Sequence, residues 1–198
     1  MKHITFLFAV LMIHTAFSQT DWKLEYNKEG VEVYTRKPEG QNVKEYKGIV
    51  EVNASVEACV KALSQPSQFT KFMYNVTYAE KIESTSAEEF VVYCIVDFPW
   101  PYTDRDMCLN YHFYDLGNGN VKAKLYSVAD KKNDPAYEYL GGVIGSWYFE
   151  KISDTKTKVT NQSKSSQTGF PDWLVNMFLL DAPKFNMPNF KSFVEANK

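Results

Sequence analysis

The chain has 198 residues with 24 acidic and 22 basic side chains, a formal net charge of −2, and no basic block that would give the electrostatic footprint of a nucleic-acid binder. That length suits one domain with a substantial core. Three cysteines, Cys59, Cys94 and Cys108, are too few and odd in number for a disulfide scaffold, while 14 Phe, 13 Tyr and 4 Trp suit a dense core or a lined cavity.

Met1-Lys2-His3 is a short basic start, and Ile4–Phe17 is an apolar run too short to span a bilayer. Ala16-Phe17-Ser18 sets small residues three and one before a cut ahead of Gln19, the layout of a secretory signal peptide. A leader over 1–18 and a single domain over 19–198 are therefore expected, with export to the periplasm or outside the cell. Asp21–Tyr26 reads as a short helix. Gly30 turns the chain into a strand over Val31–Thr35, Pro38-Glu39-Gly40 turns it again, and Val43–Val52 returns as the second strand of a hairpin. Ser55 is placed as a helix N-cap with Glu57 in the first turn. Val56, Cys59, Val60 and Leu63 then share one helical face, Pro66 ends it, and Phe69–Met73 adds a short turn.

From Val76 the apolar period becomes two. Strands are expected over Val76–Ile82, Phe90–Asp97, Arg105–Phe113, Val121–Val128, Val143–Ile152 and Lys158–Lys164. Most links read as hairpins, as at Gly117-Asn118-Gly119-Asn120, and Asp130–Gly142 reads as a longer loop. From Pro171 to Ala196 the period is helical again, kinked or restarted at Pro183, with an apolar face that requires a large partner surface. Two strands, a helix, six strands and a terminal helix make an α+β fold in which a curved antiparallel sheet grips a helix.

Catalytic signatures are thin. Once the leader is removed one histidine remains, His112, in an apolar strand and without a nucleophile-elbow sequence. One histidine and three scattered cysteines do not compose a metal site. Gly141–Gly145 lacks the lysine and the spacing of a phosphate loop. Neither cofactor nor metal is expected. Asn53, Asn75 and Asn161 open glycosylation tripeptides.

The most unusual stretch is the corner Phe98-Pro99-Trp100-Pro101-Tyr102-Thr103-Asp104-Arg105-Asp106. Its prolines cannot lie inside a paired strand. Arg105 stands at the mouth of an apolar strand, where a charge needs a partner or a role. If the flanking strands pair so that Asp97 faces Arg105, then Ile95 faces Met107, Tyr93 faces Leu109 and Cys94 faces Cys108. Arg105 is then held by Asp97 in a partly buried site, or both charges are solvated at the sheet rim. Cys94 and Cys108 are buried thiols or a strained cross-strand bridge.

Trp22 with Gly30-Val31-Glu32-Val33-Tyr34, then Pro99-Trp100-Pro101 with Arg105-Asp106, then Gly145-Ser146-Trp147, and last Gly169-Phe170-Pro171-Asp172-Trp173-Leu174 occur in that order between Trp22 and Phe193. In this the chain resembles the START family, the lipid-transfer domains related to the steroidogenic acute regulatory protein. The resemblance implies a helix-grip fold, a hydrophobic tunnel under a C-terminal lid helix, and one lipid-like molecule inside. It also implies that the arginine of the Arg-Asp pair meets the polar end of the ligand, a candidacy that Arg105 takes by position. The candidate ligand-binding residues are Arg105 and Asp97 at the corner, Tyr93 and Tyr111 on its flanking strands, Trp147 in the Gly-Ser-Trp segment, and Met177 and Phe178 on the lid. The expected function is non-enzymatic binding and transfer of a lipid or sterol-like molecule. The protein is expected to be a monomer that touches membranes transiently and takes no nucleic acid. Two alternatives stand beside it: a cyclase-like helix-grip enzyme using Arg105, Asp97, Tyr93 or His112, and a ligand-responsive interaction protein that presents its lid.

Overall fold

In the computed structural model, which describes residues 21–129, 131–132, 134–165 and 170–198, side-chain alternation of period two runs through most of the chain. The strands are β1 Lys23–Lys28, β2 Val31–Arg36, β3 Glu45–Val52, β4 Val76–Ser84, β5 Glu89–Val96, β6 Arg105–Gly117, β7 Asn120–Ser127, β8 Glu138–Tyr139, β9 Val143–Ser153 and β10 Lys156–Ser165. The helices are α1 Val56–Leu63, a 3-10 segment Pro66–Lys71, α2 Asp172–Phe178 and α3 Asp181–Ala196. The expected leader over 1–18, positions 130 and 133 of the long loop, and Gly169 of the last motif lie outside the described residues.

One curved sheet runs in the order β1-β2-β3-β10-β9-β7-β6-β5-β4, antiparallel throughout, with β8 added in parallel beside β6. The tight link from β6 to β7 is made by Asn118-Gly119, both at positive φ, the residue pair a two-residue hairpin favours. Ser55 caps α1, its side chain accepting from the Ala58 amide at 3.2 Å. The inner face of β3 presents Tyr46, Gly48, Val50 and Val52, and α3 lies across it. Gly48 is what allows that approach: a Cβ there would sit 2.8 Å from Met187 Cγ and 3.3 Å from Pro183 Cβ. Met187, Phe190 and Val194 of α3 are fully buried, each stabilising the docked helix by roughly 1.5–3 kcal/mol relative to exposure. Phe190 fills one end of the grip, with its ring centroid 5.3 Å from that of Phe72 and 4.9 Å from that of Trp147.

Four expectations are corrected. Asp21–Tyr26 is not helical: Lys23–Lys28 forms the edge strand β1, pairing with β2 through a bulge between Leu24 and Tyr26. Its mostly exposed side chains show that backbone pairing, rather than an apolar stripe, decides it. The β5–β6 register differs by one residue from the one that sets Asp97 opposite Arg105. Val96 faces Arg105, Cys94 faces Met107 and Tyr93 faces Cys108. Asp97 has left the strand, its amide donating to the Asn75 carbonyl at 2.8 Å, so the corner loop begins one residue earlier. The long loop is not wholly irregular, since it carries β8. The terminal helix is two helices broken at Leu179-Leu180, and Pro183 sits in the first turn of α3, where a missing amide hydrogen costs no helical bond.

Candidate ligand-binding site

Between the inner face of the sheet and the lid lies a cavity of about 440 Å³. Its walls follow from the strand period. Tyr46 of β3, Asn161 and Ser163 of β10, Trp147 of β9, Leu125 of β7, and Leu109 and Tyr111 of β6 are alternate residues that face inward. Leu174, Val175 and Phe178 of α2 close it from above. The lining is mostly apolar and aromatic, and its polar groups are few.

Several of those polar groups form a ledge on β3 and β10. The Tyr46 hydroxyl donates to Asn161 Oδ1 at 2.9 Å, and Asn161 Nδ2 donates to the Ser146 carbonyl at 3.3 Å. Ser163 Oγ donates to the Ile144 carbonyl at 3.2 Å. Tyr111 stacks on Phe90, with centroids 5.7 Å apart and planes at 14°. Burial raises the pKa of the Tyr46 and Tyr111 phenols and of the Cys94 thiol, so all three stay protonated at neutral pH.

The mouth is built from the corner and the approach to α2. Phe170 stacks on Phe98 with centroids 5.3 Å apart and planes at 9°, and meets Tyr102 edge-on at 5.3 Å. The Arg105 guanidinium lies over the Phe170 ring, 4.7 Å from its centroid. Arg105 is buried, at 8% exposed, and its Nη1 pairs with Glu138 Oε2 at 2.6 Å. Arg105 Nε has no partner among the described residues. The β8 pairing supplies Glu138, which stands opposite Arg105 in the parallel register.

The structure thus brings Asp97, Tyr111, Trp147 and Phe178 to the cavity wall. Arg105 stands one layer back, behind Phe170. Its ion-pair partner is Glu138 rather than Asp97, which is exposed at the rim. Tyr93 is on the outer face of the sheet, where its hydroxyl donates to Asp106 Oδ2 at 3.2 Å and Lys132 lies 4.3 Å above its ring. The one-residue register difference carries it there. Met177 points to solvent from α2, neighbouring Phe178 in sequence but not in direction. His112 is also on the outer face, stacked on Tyr114 with centroids 4.2 Å apart. Cys94 and Cys108 lie on opposite faces of the sheet as free thiols. Tyr46, Asn161, Ser163 and Ser165 were not anticipated as lining residues. Asn161-Gln162-Ser163-Lys164-Ser165 is polar at every position, so its alternation carries no sign of which face is inward.

No protein-family model matches the chain. It is 29% identical over 184 residues to an uncharacterized protein of Pseudomonas aeruginosa, covering 88% of this chain and 87% of that one. It is 26% identical over 201 residues to the phosphatidylcholine transfer protein of Mus musculus, covering 91% and 86%. Among solved structures, the STAR-related lipid transfer protein of Xanthomonas axonopodis superposes with a TM-score of 0.81 at 25% identity, covering 87% of this chain and 98% of that one. Over nearly the whole domain, and with a cavity where the lid meets the sheet, the chain is similar to this STAR-related lipid transfer protein and shares its helix-grip fold.

Proposed function

We propose that this protein binds one hydrophobic small molecule in the cavity and carries it, as a monomer and without chemical change, between lipid surfaces. The observation that carries this reading is the cavity itself, about 440 Å³ lined mainly by apolar and aromatic side chains and closed by a short helix. The STAR-related and phosphatidylcholine transfer relatives support it. A carrier has to open. α3 is pinned by Met187 and Phe190, whereas α2 is a seven-residue helix separated from it by the break at Leu179-Leu180. Opening is therefore assigned to α2, which lifts Leu174 and Val175 off the cavity. Trp100 at 92% exposure and Trp173 at 64% border the same mouth, and such exposed rings suit transient contact with a lipid surface during loading. Export by a leader over 1–18 would put this traffic outside the cytoplasm.

The protonated state of Tyr46, Tyr111 and Cys94 favours a carrier over a proton-transfer enzyme, because a general acid or base works best with a pKa near the working pH. The test is a transfer assay between donor and acceptor vesicles loaded with a lipid extract, followed by mass analysis of what moved. Accelerated movement of a molecule recovered at its original mass supports the reading. Recovery at an altered mass, or no acceleration over vesicles alone, overturns it.

A further inference from the structure

The hydrogen-bonding side chains that the sheet and α3 bring to the cavity are Tyr46, Asn161, Ser163, Ser165, Tyr111 and Asn186, all of them hydroxyls or amides. The charged side chain on the wall is Asp97, and it is exposed at the mouth. Arg105, the nearby cation, is engaged by Glu138 and covered by Phe170. An ionic headgroup drawn into this space would lose its hydration without gaining a counter-charge, a strongly unfavourable exchange.

The same groups keep unused capacity. Asn161 uses Oδ1 for Tyr46 and one Nδ2 hydrogen for Ser146, leaving a second amide hydrogen and a second lone pair. The Tyr111 hydroxyl makes no hydrogen bond among the described residues, and Ser165 Oγ is buried with no partner among them. Gly145 pairs with Ser163, and a Cβ there would come within 3.3 Å of Ser163 Oγ, so the bare backbone keeps the ledge clear. At roughly 20–30 Å³ per heavy atom, 440 Å³ houses about 15–22 of them. That is the scale of a fused ring system; a two-chain phospholipid is far larger. Trp147, Tyr111 and Phe69 supply flat or edge-on ring contacts to such a molecule.

We infer that the cavity takes one uncharged, ring-containing ligand bearing hydroxyl or carbonyl oxygens, held by the Tyr46–Asn161 pair and by Tyr111, and that it discriminates against ionic and two-chain lipids. This rests on the carrier reading and names its ligand class. Sterols and hydroxylated aromatic ring systems share this chemistry, and the probes separate them.

Equilibrium binding to the delipidated full chain is measured with androstanol, a sterol nucleus whose lack of a side chain lets it fit this volume, its sulfate ester, the deoxygenated parent hydrocarbon, a neutral hydroxyanthraquinone and palmitoyl-oleoyl phosphatidylcholine. A neutral hydroxylated probe, sterol or anthraquinone, is expected to bind at least about tenfold more tightly than the sulfate or the phospholipid. Tyr46→Phe is expected to weaken that probe about fivefold to tenfold and to leave the parent hydrocarbon unchanged, which a merely structural role would not do. Should Tyr46→Phe fail to fold, Tyr111→Phe makes the same comparison. Equal or tighter binding of the sulfate or of phosphatidylcholine overturns the inference and leaves the carrier reading standing. Equal weakening of hydroxylated and deoxygenated probes also overturns it. Binding of none of the probes, nor of a lipid extract, overturns both.

Discussion

Replacing Gly48 with alanine puts a methyl group where α3 crosses β3. Its Cβ would lie 2.8 Å from Met187 Cγ, 3.2 Å from Met187 Sδ and 3.3 Å from Pro183 Cβ. The proline ring cannot yield, and the thioether of Met187 is fully buried, so relief requires α3 to lift. Overpacking of this kind costs roughly 1–3 kcal/mol, against a gain of about 0.5–1 kcal/mol for removing a glycine from a strand. The clash wins, and a net loss of about 1–2 kcal/mol lowers Tm by roughly 2–8 °C in a domain of this size. Met187→Ala alone removes a buried side chain and costs about 2–5 kcal/mol. In the double variant the new methyl occupies part of the vacated space. The combined loss therefore falls short of the sum by about 1 kcal/mol or more. Urea unfolding followed by circular dichroism and tryptophan emission reads all three variants. An unchanged midpoint for Gly48→Ala, or strict additivity in the double variant, refutes the packing of α3 on β3 described here.

Glu138→Gln leaves the Arg105 guanidinium without its counter-charge. Glu138 has a side-chain exposure of 67% and the lost attraction is water-screened, so a loss of roughly 1–2 kcal/mol is expected, together with faster ligand release past Phe170 at the mouth; an unchanged release rate shows that the Arg105–Phe170 contact does not hold the mouth shut. Burial raises the Cys59 thiol to about 12 from 9.0. The folded state therefore holds its proton more tightly than the unfolded chain, so this contribution is complete below pH 9 and is lost as pH climbs toward 12. Urea midpoints should fall across that window, and Cys59→Ala should flatten the fall; an unaltered slope contradicts the assignment. A thiol reagent at pH 8 should find no fast site in the folded protein and three after unfolding, in line with three buried free cysteines. Rapid reaction of the native protein would contradict their burial.

Much of the sheet was legible because its strands alternate cleanly. The two strands before α1, the six after it and the helical return at Pro171 all appear within a few residues of the expected bounds. What failed were features set by partners distant in the chain. The β5–β6 register sets Val96 rather than Asp97 opposite Arg105, and Asp97 stands beside Asn75 just before β4. That one-residue difference moved Tyr93 out of the site and separated Cys94 from Cys108. Glu138 reaches Arg105 only because a two-residue strand pairs in parallel beside β6, too short a segment to show any period. Trp147, Tyr111 and Phe178 were legible as large rings on elements expected to face a tunnel. The Tyr46–Asn161 ledge was not: Asn161 stood out only as the start of a glycosylation tripeptide, and its true setting is a buried hydrogen bond to a strand far away in sequence.

The central claim is that the space between sheet and lid is a binding site, and native mass spectrometry of the purified protein tests it directly. The wild-type chain, offered a lipid extract, should carry one hydrophobic molecule per chain. Ser163→Phe, which puts a ring into the cavity beside Gly145, should fold and lose that adduct. A bare wild-type mass under those conditions, or an adduct kept undiminished by folded Ser163→Phe, would contradict it.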